Sequence, residues 1–376
     1  MLIATFATSL HGQGPVQTKP LDRANLDTTC NACDDFYQFA NGGWLKRTKI
    51  PAAYPEFGSF PELYDQNEAV LHDILNTSVA RVKSGEYKAG TGEYKVGAFY
   101  ATCMDTTTIE KLGATPLKPE LDRIAAISSV DDLKRSFGEL EKREGLAPWV
   151  DGSAQDARDA ANTITGLYQG GLSLPNAEYY TKTDTASVSF RTKFTNIVAH
   201  SFVLLGDSPS RAAEEAKTVL AVETQFAKSS RTPIQLRDVV ANYHRMTLAQ
   251  VDSLTPHFEW ASFYSGVGAP TVEKIDVGQP EFFTNFDKML TSVPLADWKT
   301  LLRWRLVSTA ASSLSTPFVN QNFEFNKLFT GATEILPRWK RCVSATDASL
   351  GELLGQEFVA RKFSPEAKAR AVTIVD

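Results

Sequence analysis

The chain has 376 residues, 43% hydrophobic and 22% charged, with a formal net charge of −5. This is the composition of a globular protein able to bury a large core, as two or three domains or as one continuous helical body. The modest charge contains no long run of one sign, which argues against nucleic acid or an anionic membrane surface as partner.

Residues 1–10, MLIATFATSL, are small and apolar, and His11-Gly12-Gln13-Gly14-Pro15 breaks the pattern. The stretch is too short to span a bilayer and lacks a basic start, so it reads as the remnant of an export signal, followed by an irregular tail to residue 27. The location that follows is periplasmic or secreted. Residues 34–60, DDFYQFANGGWLKRTKIPAAYPEFGSF, come next. Phe36, Phe39 and Ala40 at helical spacing predict a short helix burying an aromatic face, with Asp34 and Asp35 at its positive end. Asn41-Gly42-Gly43 tolerates positive φ and is expected to end that helix and reverse the chain.

A long helix is predicted over 61–82, with Leu63, Val70, Leu71, Ile74, Leu75 and Val79 on one side and Glu62, Asp65, Glu68 and Asp73 elsewhere. Further helices are predicted over 94–104, 120–127, 129–143, 187–205 and 210–229. In the last of these Ser208 caps, Pro209 takes the first position, and Ala212, Ala216, Val219, Val222 and Phe226 line one face. Residues 149–157 and 163–174 read as extended, and 272–276 as a short strand. Helices over 247–253, 260–266, 282–291, 295–314, 348–359 and 365–375 complete the prediction. The last reads as a helix still in progress, which points to a chain continuing past Asp376. The fold class is mainly α, a large multi-helix lobe with a few short strands.

Four cysteines, Cys30, Cys33, Cys103 and Cys342, allow three pairings. Cys30 and Cys33 form a C-x-x-C with no thioredoxin-like unit around it and no second C-x-x-C to complete a zinc site.

The run DDFYQFANGGWLKRTKIPA resembles the amino-terminal segment of the neprilysin family of zinc metallopeptidases, family M13. GLYQGGLSLPNAEYY, at 166–180, resembles the family's Gly-Gly-Leu, Leu-Pro and Tyr-Tyr pattern. VGQPEFF at 277–283, residues 297–304, and PRWKRCVSATDASLGELLGQEFV at 337–359 follow in family order. The resemblance covers nearly the whole chain and concerns the family's amino-terminal region. It implies a helical lobe, incomplete without a thermolysin-like catalytic lobe encoded after Asp376. Residues 28–64 would be an anchor packing on that lobe, and 65–376 a helical cap closing a chamber for peptide substrates. It also implies a Cys103–Cys342 disulfide. Two family arginines that hold the far end of a peptide fall here on Glu56 and Tyr64, while Phe60 matches the family's aromatic. Glu56 would repel a carboxylate that arginine would bind bidentately.

The catalytic chemistry itself is missing from these residues. Zinc held by this family requires two histidines one helical turn apart with a glutamate between them, because residues i and i+4 share a face. His11, His72, His200, His244 and His257 are each more than four residues from the next, and none is followed by Glu. Asn176-Ala177-Glu178-Tyr179-Tyr180 imitates a substrate-binding sequence of the missing half, but it sits in the Leu-Pro…Tyr-Tyr block. No nucleophile elbow and no phosphate-cradling glycine loop appears. Two readings follow: the amino-terminal lobe of a zinc metalloendopeptidase, binding no zinc itself and inactive alone, or a stand-alone helical binding or scaffold protein. Neither involves nucleic acid or a membrane span.

Overall fold

The computed structural model describes residues 22–269 and 272–375. The expected export-signal remnant and His11 lie outside the described residues. The chain divides into two compact units, one made of the residues up to Asp105 together with those from Thr330, the other of Thr106–Phe329. The second unit is therefore an insertion in the sequence of the first.

In the first unit α1 (Phe36–Arg47) leads through a loop to α2 (Ser59–Lys83) and α3 (Gly92–Met104). Asp35 caps α1, its side chain accepting from Gln38 N at 2.9 Å. The helix does not end at Asn41-Gly42-Gly43 but runs through it. Both glycines make room instead of a turn. A Cβ on Gly42 would lie 2.5 Å from Asp27 Cβ, and one on Gly43 would press into the carbonyl oxygen of Ala24 and lie 2.8 Å from that of Leu26. The segment 22–27 can pack here only because these positions lack side chains. Gly43→Ala is accordingly expected to cost about 1–3 kcal/mol, the cost of overpacking, where an open helical site would gain from the same change. Denaturant midpoints of the two proteins decide this. The aromatic face of α1 also differs from expectation, with Phe36 69% and Tyr37 65% exposed.

The second unit runs through α4 (Thr106–Leu112), α5 (Lys118–Ala126) and α6 (Val130–Glu144) into a hairpin of β1 (Trp149–Asp156) and β2 (Asp159–Gln169). Then come α7 (Glu178–Thr181), α8 (Thr185–Leu204), α9 (Pro209–Ser229), β3 (Arg245–Thr247), α10 (Leu248–Leu254), α11 (Trp260–Val267) and β4 (Lys274–Val277). Three more helices follow, α12 (Pro280–Ser292), α13 (Leu295–Ala310) and α14 (Thr316–Thr330). The sheet has order β1-β2-β4-β3, antiparallel except for the β2–β4 pair. Caps agree with sequence: Ser129 accepts from Asp132 N, and Ser208 precedes Pro209 at the start of α9. The core gathers Phe137, Trp149, Phe258, Trp260, Phe286 and Trp298, with ring centroids of Trp149 and Phe286 4.9 Å apart, mostly edge to face.

The chain then returns to the first unit through α15 (Arg338–Lys362), which departs from helical geometry at Leu350, and α16 (Pro365–Val375). Ile74 and Leu75 of α2, Val96 and Tyr100 of α3, and Cys342, Val343 and Leu354 of α15 form its core. Cys103 and Cys342 are joined by a disulfide with Cα atoms 5.7 Å apart, while Cys30 and Cys33 are free. Among the described residues no helix is long and apolar enough to cross a membrane.

Candidate functional site

The segment 48–64 carries the three residues that the family resemblance singles out. Its conformation is set by a charged group beneath it. Lys340 Nζ lies 2.5 Å from Asp65 Oδ1, 3.3 Å from Glu68 Oε2 and 2.7 Å from Tyr54 Oη. Tyr54 donates to Asp65 as well. Glu68 is buried, contrary to its expected place off the core face, because Lys340 and the Ser344 hydroxyl, 3.2 Å from Glu68 Oε1, satisfy its carboxylate. Burial opposes the charge on Lys340, yet the bonds to Asp65, Tyr54 and Glu68 hold its ammonium above the usual lysine range. The loop is tied a second time where the amides of Thr333 and Glu334 donate to the Ala52 carbonyl at 2.8 and 3.1 Å.

On this base Phe60 is 86% exposed and Tyr64 52%, one turn apart on the same face of α2. The Tyr64 hydroxyl meets Ser344 Oγ at 3.2 Å. Glu56 is exposed in the loop before Gly58, so the structure brings Phe60 and Tyr64 together on one helix and leaves Glu56 outside it. Ile50 and Leu63 are also exposed, at 60% and 54%, as are Phe36 and Tyr37 on α1.

The described histidines are separately engaged or exposed. His72 stacks on Trp339 with centroids 4.4 Å apart, His244 Nδ1 meets the Val277 carbonyl at 3.0 Å, and His257 Nδ1 pairs with Asp287 at 2.8 Å. His200 is exposed on α8. Among the described residues no group of three or more His, Cys, Asp or Glu side chains is placed to hold a metal ion. These residues therefore do not fit a zinc site, and no step of zinc chemistry is assigned to them.

Two polar features escaped sequence reading. Glu223 on α9 is fully buried, and receives Tyr180 Oη at 2.6 Å and Ser173 Oγ at 2.7 Å. The signal was present, since Glu223 falls four residues after Val219 and three before Phe226, on the apolar face. The second is Asp151 on β1, whose Oδ1 has no partner among the described residues. Burial first, and the Glu141 charge second, push its carboxyl up from 3.8 to about 6. An unfolded chain gives up this proton near pH 4 while the folded chain keeps it to about pH 6, so this group's contribution to stability falls as pH rises through that window. Asp151→Asn should remove the fall, leaving stability unchanged below about pH 4 and raising it at pH 7 by about 1–2 kcal/mol once partial solvent screening is allowed for. Urea midpoints of both proteins at the two pH values test it, and an equal difference at both would refute the assignment.

A mostly helical fold whose amino-terminal residues leave several large apolar side chains exposed, with the loop before α2 tied down by Lys340, is what fold and site together define. Its sequence matches the pattern of peptidase family M13 over residues 32–376, and the chain belongs to that family. It is 27% identical to endothelin-converting enzyme 1 of Homo sapiens, an alignment covering 94% of this chain and 46% of that protein. With membrane metallo-endopeptidase-like 1 of Homo sapiens it shares 28% identity, over 94% of this chain and 48% of the relative. The chain thus spans about half the length of the curated relatives it matches. Among solved structures it resembles a zinc metalloprotease of Mycobacterium tuberculosis in complex with an inhibitor, with a TM-score of 0.86 and 28% identity, covering 95% of this chain and 53% of that one. The fold also matches PepO from Lactobacillus rhamnosis, at a TM-score of 0.78 and 18% identity.

Proposed function

We propose that this chain is the amino-terminal helical lobe of a zinc metalloendopeptidase that hydrolyses peptides. In this reading residues 28–64 anchor the catalytic lobe and the helical cap closes a chamber around the substrate. The observation that carries it is the exposure of Phe36, Tyr37, Ile50 and Leu63 in the amino-terminal residues, where the Lys340 group ties down the loop before α2. Large apolar side chains left exposed suit a surface made to be covered, and in this reading the catalytic lobe covers them. A stand-alone scaffold would be expected to cover such side chains with its own residues, so the exposure counts against that alternative.

Zinc would be held by the catalytic lobe and would activate water there. Phe60 and Tyr64 would meet a peptide along one face of α2, and Glu56 would disfavour a free carboxyl terminus near the loop. A disulfide between Cys103 and Cys342 supports a periplasmic or secreted location, since such bonds persist in oxidising compartments. The experiment is to assay this chain alone and the protein at the full length of its family on an unstructured peptide and on a folded protein of the same composition. The full-length protein should cut only the peptide and stop on zinc chelation, and the chain alone should cut neither. Peptide turnover by the chain alone, or none by the full-length protein, would overturn the proposal.

A further inference from the structure

Between α9 and β3 the chain makes a loop that is rigid at its base and apolar at its tip. Arg231 bridges the two stems. Its guanidinium forms a two-pronged pair with Glu281 at 2.6 and 3.1 Å and donates to the Ala241 carbonyl at 2.6 Å. Asn242 ties the interior, its Nδ2 donating at 2.7 Å to the carbonyls of both Gln235 and Asp238. Gln169 of β2 holds the near stem through Arg231 N and O at 2.7 and 3.0 Å. Side-chain bonds to backbone on this scale fix a loop without a core of its own.

What this frame displays is Ile234, Val239 and Val240, 79%, 66% and 73% exposed. A loop ordered by its own polar bonds has already lost the entropy that binding would otherwise cost, so its apolar tips gain on contact with little to offset the gain. Side chains exposed to this degree project from the surface. They suit insertion into a folded neighbour, whereas a peptide is held in a concave site.

We infer that the loop 232–240 is a preformed seat for the carboxy-terminal half of the protein, engaged through Ile234, Val239 and Val240. The inference rests on the reading of the chain as one lobe of a two-lobe peptidase. The relatives run to about twice the matched length, with this chain spanning 46% of endothelin-converting enzyme 1, and in the two-lobe reading a body of similar size is tethered to the same polypeptide. A tethered body sees the loop at high effective concentration, which favours it over a second copy or a free partner.

Hydroxyl-radical footprinting of the full-length protein, without substrate, reads the seat directly. Val188 on α8, 46% exposed, is the internal reference of the same residue type. In the structure Val239 and Val240 are more exposed than Val188, so covering them should reverse the order of oxidation and leave both slower than Val188. Oxidation of Val239 and Val240 faster than Val188 overturns the inference. Protection that appears only when peptide is added overturns it in favour of a substrate surface, and protection that fades on dilution overturns it in favour of a second copy. Peptide hydrolysis measured on the same sample separates the two claims. An active enzyme with an unprotected loop refutes the seat alone, and a protected loop in an inactive protein refutes the peptidase reading alone.

Discussion

Glu223→Ala should lower the unfolding free energy by about 2–5 kcal/mol, since two buried hydroxyls lose their acceptor at about 1–3 kcal/mol each and a cavity is left. The change leaves a hole where the block 166–180 wraps around α9. Tyr180 Oη accepts from Leu174 N at 2.8 Å while donating to Glu223, and Ser173 Oγ accepts from Trp304 Nε1 at 2.8 Å while donating to the same carboxylate. One side chain therefore closes two relays, each of which would be left with a buried hydroxyl lacking its acceptor. Arg305, buried and bonded to the Leu146 and Ala147 carbonyls at 3.0 and 2.8 Å, would also lose an opposing charge wherever Glu223 is ionised.

The charge state of Glu223 can be read from a second variant. Burial pushes its carboxyl up, and the bonds from Tyr180 and Ser173 with the Arg305 charge hold it back. If it is ionised, Glu223→Gln puts an amide N–H where an acceptor is needed and should cost about 1–3 kcal/mol. If it is already protonated, Gln is a near copy and costs much less. Loss of less than about 1 kcal/mol on the alanine change would show that the relays contribute little to stability.

The helices were legible wherever a cap and an apolar face coincided, as in α6 and α9. They were missed where composition hid them. Thr106–Leu112 opens on three threonines, and Thr316–Thr330 is dotted with Asn320, Asn322 and Asn326, residue types that favour other conformations in isolation. Helix α15 starts ten residues before its expected beginning at 348, because packing of Cys342 and Val343 into the core of the first unit decides it. Asn41-Gly42-Gly43 misled for the opposite reason. Its glycines serve a close approach by residues 24–27, a contact between segments that no local pattern contains. The same limit hid the parallel pairing of Thr165–Leu167 with Ile275–Val277 and the three-residue strand beside it. At the candidate site the helix was expected from residue 61, with Phe60 before it; α2 starts at Ser59 and brings Phe60 and Tyr64 onto one face. No local pattern shows that Lys340, nearly three hundred residues away, fixes the loop before them.

The other large effect concerns the bond between Cys103 and Cys342, which closes a loop with a sequence separation of 239. In the chain-entropy account a loop of this length contributes about 5 kcal/mol, by restricting the unfolded chain. The two-unit organisation makes the size of the effect informative. Both cysteines belong to the first unit, and the whole second unit lies between them in sequence. If the units unfold together, the full loop is released and Cys103→Ser with Cys342→Ser should cost the full amount. If the second unit stays folded while the first melts, it shortens the effective loop, and the cost should drop because closure entropy depends on the freely fluctuating length. Calorimetry of the oxidised protein and the double serine variant separates the cases: one shifted transition in the first, an early transition confined to the first unit in the second. The loss should register in the packing of Ile74, Leu75, Val96 and Tyr100 around Cys342, and in the Lys340 group two residues before it. A variant with an unchanged melting profile would mean that the helices α2, α3 and α15 hold one another without the bond.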